Sequence, residues 1–262
     1  MEDSHILYNV EHGIAVIYFN RPKVKNAFSA EMIRLLFEYL EKSRRDDTVK
    51  GIILTGKGDA FCAGGDVKEM VEGKLRSWDM KRFLWEGVHR IVLLLEDLDK
   101  PIIAAVNGAA TGAGMGLAIM CDLRICSERA RFAESYIKMG LVAGDGAAYF
   151  LPRLVGLPKA LELMLTGEII SADQALQIGL ANKVVPHDHL KMEAFKLIGR
   201  ITVNPPLAVR MMKRAVYQAQ SSTLRNHLDY ISSQISLLTE TEDHLEAARA
   251  FMEKRKPVFK GK

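Results

Sequence analysis

Cysteine is scarce in this chain: Cys62, Cys121 and Cys126 are the only three among 262 residues. Their odd number and the lack of a CxxC pair speak against a disulfide framework or a zinc knuckle and for a reducing, cytoplasmic setting. A dominant charge is missing too. Lys+Arg 36 against Asp+Glu 32 leaves +4, too little over this length to mark a nucleic-acid-binding protein. Apolar runs such as Ile91–Leu95 and Ile102–Val106 fall far short of the roughly 18 residues a membrane span requires. The N-terminal segment has acids at Glu2 and Asp3 and no basic stretch before an apolar one, so no secretory signal is expected. What is present is 48% apolar and 26% charged residues, the make-up of a globular chain that buries a sizeable core.

The first half alternates strand and helix patterns. Gly13–Phe19 is an apolar, β-branched run broken by Asn20-Arg21-Pro22; proline turns the residue before it away from helix. Ser29 is placed to cap a helix reaching about Arg44, with Ile33, Leu36, Phe37 and Leu40 on one face. Strands are predicted at Gly51–Thr55, Ile102–Val106 and Leu123–Cys126, with a helix over roughly Leu75–Leu95. Such spacing implies an α/β core with crossover connections. Beyond it, Pro158–Leu165 ends at Gly167, and Ser171-Ala-Asp-Gln174 is a capping box. Helices follow near 188–201, 206–220, 222–238 and 240–255, with Pro206 in a first turn. The expected organisation is an α/β core over 1–200 with a helical C-terminal module over 201–262.

Two small-residue turns each follow a predicted strand: Phe61-Cys-Ala-Gly-Gly-Asp66 and Asn107-Gly-Ala-Ala-Thr-Gly-Ala-Gly-Met-Gly116. Small residues let a ligand atom approach main-chain N–H groups, and a turn feeding a helix presents unpaired donors at the positive end of its dipole. Two such turns can aim two N–H groups at one oxygen that turns anionic during reaction. Tight helix–strand packing explains the same glycines equally well. A P-loop is excluded because Ala113 follows Gly112, and Gly112-Ala-Gly114-Met-Gly116 has the wrong spacing for a dinucleotide fingerprint.

Together these segments resemble the crotonase (enoyl-CoA hydratase/isomerase) superfamily over essentially the whole chain. The likeness is carried by Asn20-Arg-Pro-Lys23 through Asn26-Ala27, Phe61–Asp66, Pro101–Gly108 with Gly112–Gly114, Cys121-Asp122, Leu165-Thr-Gly167, Ser171-Ala, Gly179-Leu180 and Phe251–Arg255. The resemblance implies a spiral of repeated ββα units, a helical C-terminal trimerisation region, and trimers or dimers of trimers acting on acyl-CoA thioesters. No cofactor is expected, coenzyme A being part of the substrate, and neither nucleic acid nor a membrane is an expected partner. By position, the two oxyanion-hole N–H groups belong to Gly65 and Ala113. Ala63, Asp66 and Val67 line the coenzyme A path, with Val24 and Ala27 on its other side. Gly112, Gly116, Tyr136 and Gly144 fall at the acyl site.

The acids depart from the pattern. Family hydratases carry glutamates where this chain has Gly116 and Tyr136, and some relatives carry an aspartate at the position of Gly144. Asp145, one residue on, is the candidate for proton transfer next to the thioester; the plainer expectation is an aspartate capping the helix that starts near Ala147. Tyr136 is expected as a pocket wall, Glu134 as a solvated charge, and Cys62 as a small apolar filler. His187 and His189, lacking a third ligand, are expected in a surface loop. Lys254, Arg255, Lys256, Lys260 and Lys262 are expected in a solvated tail, with attraction of coenzyme A phosphates as the functional alternative. The function expected is hydration or isomerisation of an unsaturated acyl-CoA through a thioester enolate. The alternatives are a hydrolase or decarboxylase on the same scaffold, a non-catalytic acyl-CoA-binding protein that lost its glutamates, and, on the basic tail alone, RNA binding.

Overall fold

The computed structural model describes residues 4–66 and 77–262. Its strands are β1 (Ile6–Glu11), β2 (Ile14–Phe19), β3 (Gly51–Gly56), β4 (Ala60–Cys62), β5 (Ile102–Val106), β6 (Ala109–Thr111), β7 (Leu123–Ser127), β8 (Arg131–Ala133), β9 (Ile170–Ser171) and β10 (Lys183–Val185). Its helices are α1 (Ala30–Arg45), α2 (Ser77–Phe83), α3 (His89–Asp97), α4 (Ala113–Met120), α5 (Ala147–Val155), α6 (Leu157–Thr166), α7 (Ala172–Gln177), α8 (Leu190–Thr202), α9 (Pro206–Ala219), α10 (Leu224–Thr239) and α11 (Glu242–Met252). Two compact units emerge, Met1–Leu98 with Ile102–Phe195, and Asp99–Pro101 with Lys196–Lys262. No described helix is long and apolar enough to cross a membrane.

In the first unit a six-stranded sheet runs β1-β2-β3-β5-β7-β10 and a four-stranded sheet runs β4-β6-β8-β9. Each pair β3/β4, β5/β6 and β7/β8 gives its first strand to the larger sheet and its second to the smaller. Successive pairs align parallel in both, as in Ile52↔Ile102, Ile103↔Leu123, Ala60↔Ala109 and Ala109↔Arg131. This is the expected spiral of ββα units. Strands β2 and β5 read as unbroken apolar runs because they are covered on both faces: every residue of β5 and all but one of β2 are buried. Phe19 and Phe61 meet edge to face at 5.2 Å inside that core.

Local signals explain most boundaries. Ser29 caps α1 by accepting from Met32 N at 3.1 Å, and Ser171 with Gln174 closes the predicted capping box on α7. The helix expected over 75–95 is divided: Leu84–Val88 winds as a π-helix between α2 and α3, while residues 75 and 76 lie outside the described segments. Strands β4, β6 and β8 were not predicted. Each has three residues, too few for a pattern of alternation.

Two buried asparagines from the motif segments fasten the β3–β4 turn. Asn26 donates to Lys57 O at 2.9 Å and Ala60 O at 2.7 Å, and accepts from Arg21 N at 2.8 Å. Asn107 accepts from Gly56 N at 3.1 Å and donates to Gly58 O at 3.0 Å. Asn26 holds φ +56, a left-handed conformation that asparagine tolerates better than most residues.

In the second unit Pro206 opens α9, and Thr223 and Thr241 cap α10 and α11. The basic C-terminal stretch is not the free tail expected. Buried Asp243 accepts from Lys260 N at 2.6 Å and Gly261 N at 2.8 Å, and its own amide donates to Lys262 O. The basic side chains remain exposed, as expected, although Arg255 pairs with Glu246 and Lys260 with Glu242. For the first unit, Asn26→Ala removes the hydrogen bonds to Arg21 N–H and Lys57 O and one of the two donors to the buried Ala60 O and is expected to cost about 1–3 kcal/mol, read as a lowered urea midpoint with an unchanged slope.

Candidate active site

The two small-residue turns meet at one cavity. Phe28 bridges Gly65 in parallel fashion, with Phe28 N donating to Gly64 O at 2.7 Å and Asp66 N to Phe28 O at 3.3 Å. Both bonds use the flanking residues, so the Gly65 N–H faces the opposite way. Ala113 is the first residue of α4; its N–H has no intrahelical partner and lies at the positive end of the helix dipole. The turns are locked together: Thr111 donates its hydroxyl to Ala63 O at 2.9 Å, and a Cβ on Gly64, where φ is +91°, would stand 2.7 Å from Thr111 O. Gly65 and Ala113 both line a cavity of about 520 Å³, with Phe28, Ile33, Leu36, Leu84, Val88, Ile91, Leu117, Met120, Tyr136, Gly144 and Asp145 among its walls.

One carboxyl enters this apolar space from an unexpected direction. Asp145 is 2% exposed, and its Oδ2 occupies the volume above Gly116: a Cβ added there would lie 1.9 Å from that oxygen. Its Oδ1 accepts from Ala147 N at 3.1 Å, at the start of α5. The cap and the approach to the cavity are therefore roles of the same side chain. The loop is braced by His89, whose Nε2 donates to Gly144 O at 2.9 Å. Burial pushes the Asp145 carboxyl above the usual range, while the Ala147 N–H, the Tyr136 hydroxyl and His89 work the other way. Oδ2 itself receives no hydrogen bond of ordinary geometry among the described residues. The other carboxyl lining the cavity, Asp66, is held by Arg21 at 3.2 Å.

Glu134 corrects an expectation. It is not a solvated charge but 1% exposed, with neither carboxyl oxygen hydrogen-bonded. No sequence signal announced it: Glu134 follows the three-residue β8, in which Phe132 and Ala133 are both buried, so alternation along the strand marks no face for it. Burial, and then the charge of Asp145, push it up to about 9. The Tyr136 hydroxyl is raised for the same reasons, burial first.

Of the residues singled out by sequence, Gly65, Asp66, Ala113, Tyr136, Gly144 and Asp145 come together around the cavity. Gly116 lies beneath Asp145, and Gly112, at φ +50, sets the turn into α4 by donating its N–H to Ala133 O. Ala63 pairs with Lys25 O, Ala27 is buried and accepts from Arg21, and Val24 is exposed, none of them lining the cavity. Val67 lies outside the described residues. His187 is engaged by Ser127 Oγ at 3.0 Å.

The sequence profile of the enoyl-CoA hydratase/isomerase family matches residues 9–262. The chain belongs to this family. It is similar to the short-chain-enoyl-CoA hydratase of Clostridium acetobutylicum, 37% identical over 98% of this chain and 97% of that protein. It is also similar to the 1,2-epoxyphenylacetyl-CoA isomerase of Escherichia coli, 35% identical over 98% of each. Among solved structures, enoyl-CoA hydratase subunit I of Geobacillus kaustophilus shares the fold at a TM-score of 0.92, 37% identical over 100% of both chains. Cys62 sits next to the Gly64-Gly65 turn, yet burial pushes its thiol up to about 12, so little thiolate exists at neutral pH. Iodoacetamide at pH 8 is expected to leave Cys62 unlabelled in the native protein and to label it after unfolding, as read by intact mass.

Proposed function

We propose that this chain shifts a carbon–carbon double bond in an unsaturated acyl-CoA thioester. The Gly65 and Ala113 N–H groups receive the thioester oxygen, and Asp145 moves the proton. The observation that carries this reading is the Asp145 carboxyl standing over Gly116 in an apolar cavity whose other described carboxyl, Asp66, is tied to Arg21. Asp145 removes a proton from C2, between the thioester carbonyl and a 3,4 double bond, negative charge moves onto the carbonyl oxygen of the dienolate, and the same proton returns to C4, leaving a 2,3 double bond. Atoms balance without entry of water. A raised carboxyl pKa suits both halves of that exchange, since a base of moderate strength is also a competent acid. Ile33, Leu36, Ile91, Leu117 and Met120 on the cavity wall suit a hydrocarbon chain.

Hydration is the second reading, favoured by the hydratase names of relatives such as the Clostridium acetobutylicum protein. Trans-3-enoyl-CoA and trans-2-enoyl-CoA substrates of graded length separate the two. Conversion of the 3-enoyl to the 2-enoyl isomer at constant mass is expected. A product carrying one added water, with no isomer formed, would overturn the isomerase reading. Asp145→Asn is expected to lower kcat by about 10²–10⁴ with acyl-CoA affinity nearly unchanged. Ala113→Pro removes the N–H at a helix position where proline is tolerated and is expected to cost about 10²–10³ in kcat.

The proposal extends to assembly. A core over 1–200 and a helical module over 201–262 that joins chains into trimers, or dimers of trimers, accord with the exposed apolar side chains of Met212, Val216, Leu228 and Ile235. Sedimentation equilibrium is expected to return three or six times the chain mass; a monomer across the micromolar range would sink this part. A cytoplasmic setting accords with three buried cysteines that form no disulfide.

A further inference from the structure

Among the described residues, the buried side-chain oxygens and nitrogens left without a hydrogen-bond partner are three, and all belong to two carboxyls: Glu134 Oε1, Glu134 Oε2 and Asp145 Oδ2. Such orphans are rare in folded proteins because an ionised carboxylate stripped of water and donors is costly. Two ionised carboxylates side by side in one apolar region are costlier still. The donors are shared unequally. Asp145 has the Ala147 N–H at 3.1 Å, with the Tyr136 hydroxyl and His89 also favouring its charged form, whereas Glu134 has none.

We propose that Glu134 is a positioning residue that stays protonated beside an ionised Asp145, so that the two buried carboxyls hold one proton and one negative charge between them. Protonation turns Glu134 from an acceptor-only group into a donor, the one kind of group these oxygens lack. It also leaves Asp145 as the single charge of the pair, next to a site that must tolerate an anionic enolate. The titratable groups facing the pair are Tyr136, Cys62 and, across the loop from α3, His89. Tyr136 and Cys62 stay neutral because burial raises both. The significance for catalysis rests on the Asp145 reading above; the protonation itself does not.

The ionisation of Glu134 falls near pH 9, driven up by burial and then by the Asp145 charge. Below that pH the proton is held. Above it a second negative charge appears beside the enolate site, and turnover is expected to fall. Infrared titration of the full-length protein with side-chain ¹³C-glutamate reads the proton without any turnover. The expected result is an isotope-shifted carboxylic-acid band present at pH 7 and lost near pH 9. That band should be absent in Glu134→Gln and should titrate at lower pH in Asp145→Asn, where the repelling charge is gone. In kcat/KM profiles the alkaline limb should move up by at least about one pH unit, tenfold in proton concentration, in Glu134→Gln, and Glu134→Asp should restore it. No glutamic-acid band at pH 7, or a band indifferent to Asp145→Asn, would overturn the proposal. So would an alkaline limb unmoved in Glu134→Gln. If Asp145→Asn keeps full turnover while the band behaves as described, the catalytic reading of Asp145 fails and the protonated pair stands.

Discussion

The geometry of the site depends on main chain touching main chain. At Gly56, Gly108 and Gly114 an added Cβ would meet a carbonyl oxygen of the β4 region at 2.1, 1.8 and 2.0 Å. No side chain fits at such distances. The contacts press the β3–β4 and β5–β6 turns together, and this closeness lets two backbone amides from distant parts of the sequence face one cavity. Asn26 and Asn107 pin this turn by donating to Lys57 O and Gly58 O, and both also satisfy the buried Ala60 O. The motif residues that look most functional in the sequence are thus largely structural. They act on the reaction through the position of the backbone.

The cavity is otherwise apolar, and that low polarity governs its few ionisable groups. It raises Asp145, Glu134, Tyr136 and Cys62 alike. The groups differ in the donors available to each. Asp145 has four sources of relief from burial, the amides of Ala147 and of its own residue, the Tyr136 hydroxyl and His89, and Glu134 has none, an asymmetry on which the different roles proposed for these two carboxyls rest. Family membership alone does not distinguish them, since the glutamate positions of the hydratase pattern hold Gly116 and Tyr136 here.

Much of this was legible in the residues. Long apolar strands such as Ile102–Val106, the Ser29 and Ser171 caps and the Gly167 stop were visible because each is a local device acting within a few positions. That the Gly65 and Ala113 turns belong to one site was expected from the turn motifs and the resemblance, and both residues line one cavity. Four kinds of feature were hidden. The three-residue strands β4, β6 and β8 exist only through pairing with one another across 20 to 50 residues of chain. The π-helical segment at Leu84–Val88 interrupts what reads as one continuous helix. The burial of Glu134 had no local signal, because it lies just past β8, a strand of three residues whose last two are both buried. The tethering of the basic C-terminal stretch by Asp243 needed a contact across 17 residues.

The shared volume above Gly116 also constrains descent. A glutamate at position 116 and the present rotamer of Asp145 exclude one another, because the first carbon of any side chain at 116 falls within bonding distance of Oδ2. A lineage moving between this arrangement and the hydratase pattern therefore cannot gain one acid before displacing the other. The intermediate genotype carries either a clash or an empty, acid-free floor. Sequences of this kind should show positions 116 and 145 changing as a linked pair, a case of epistasis imposed by a few cubic ångströms.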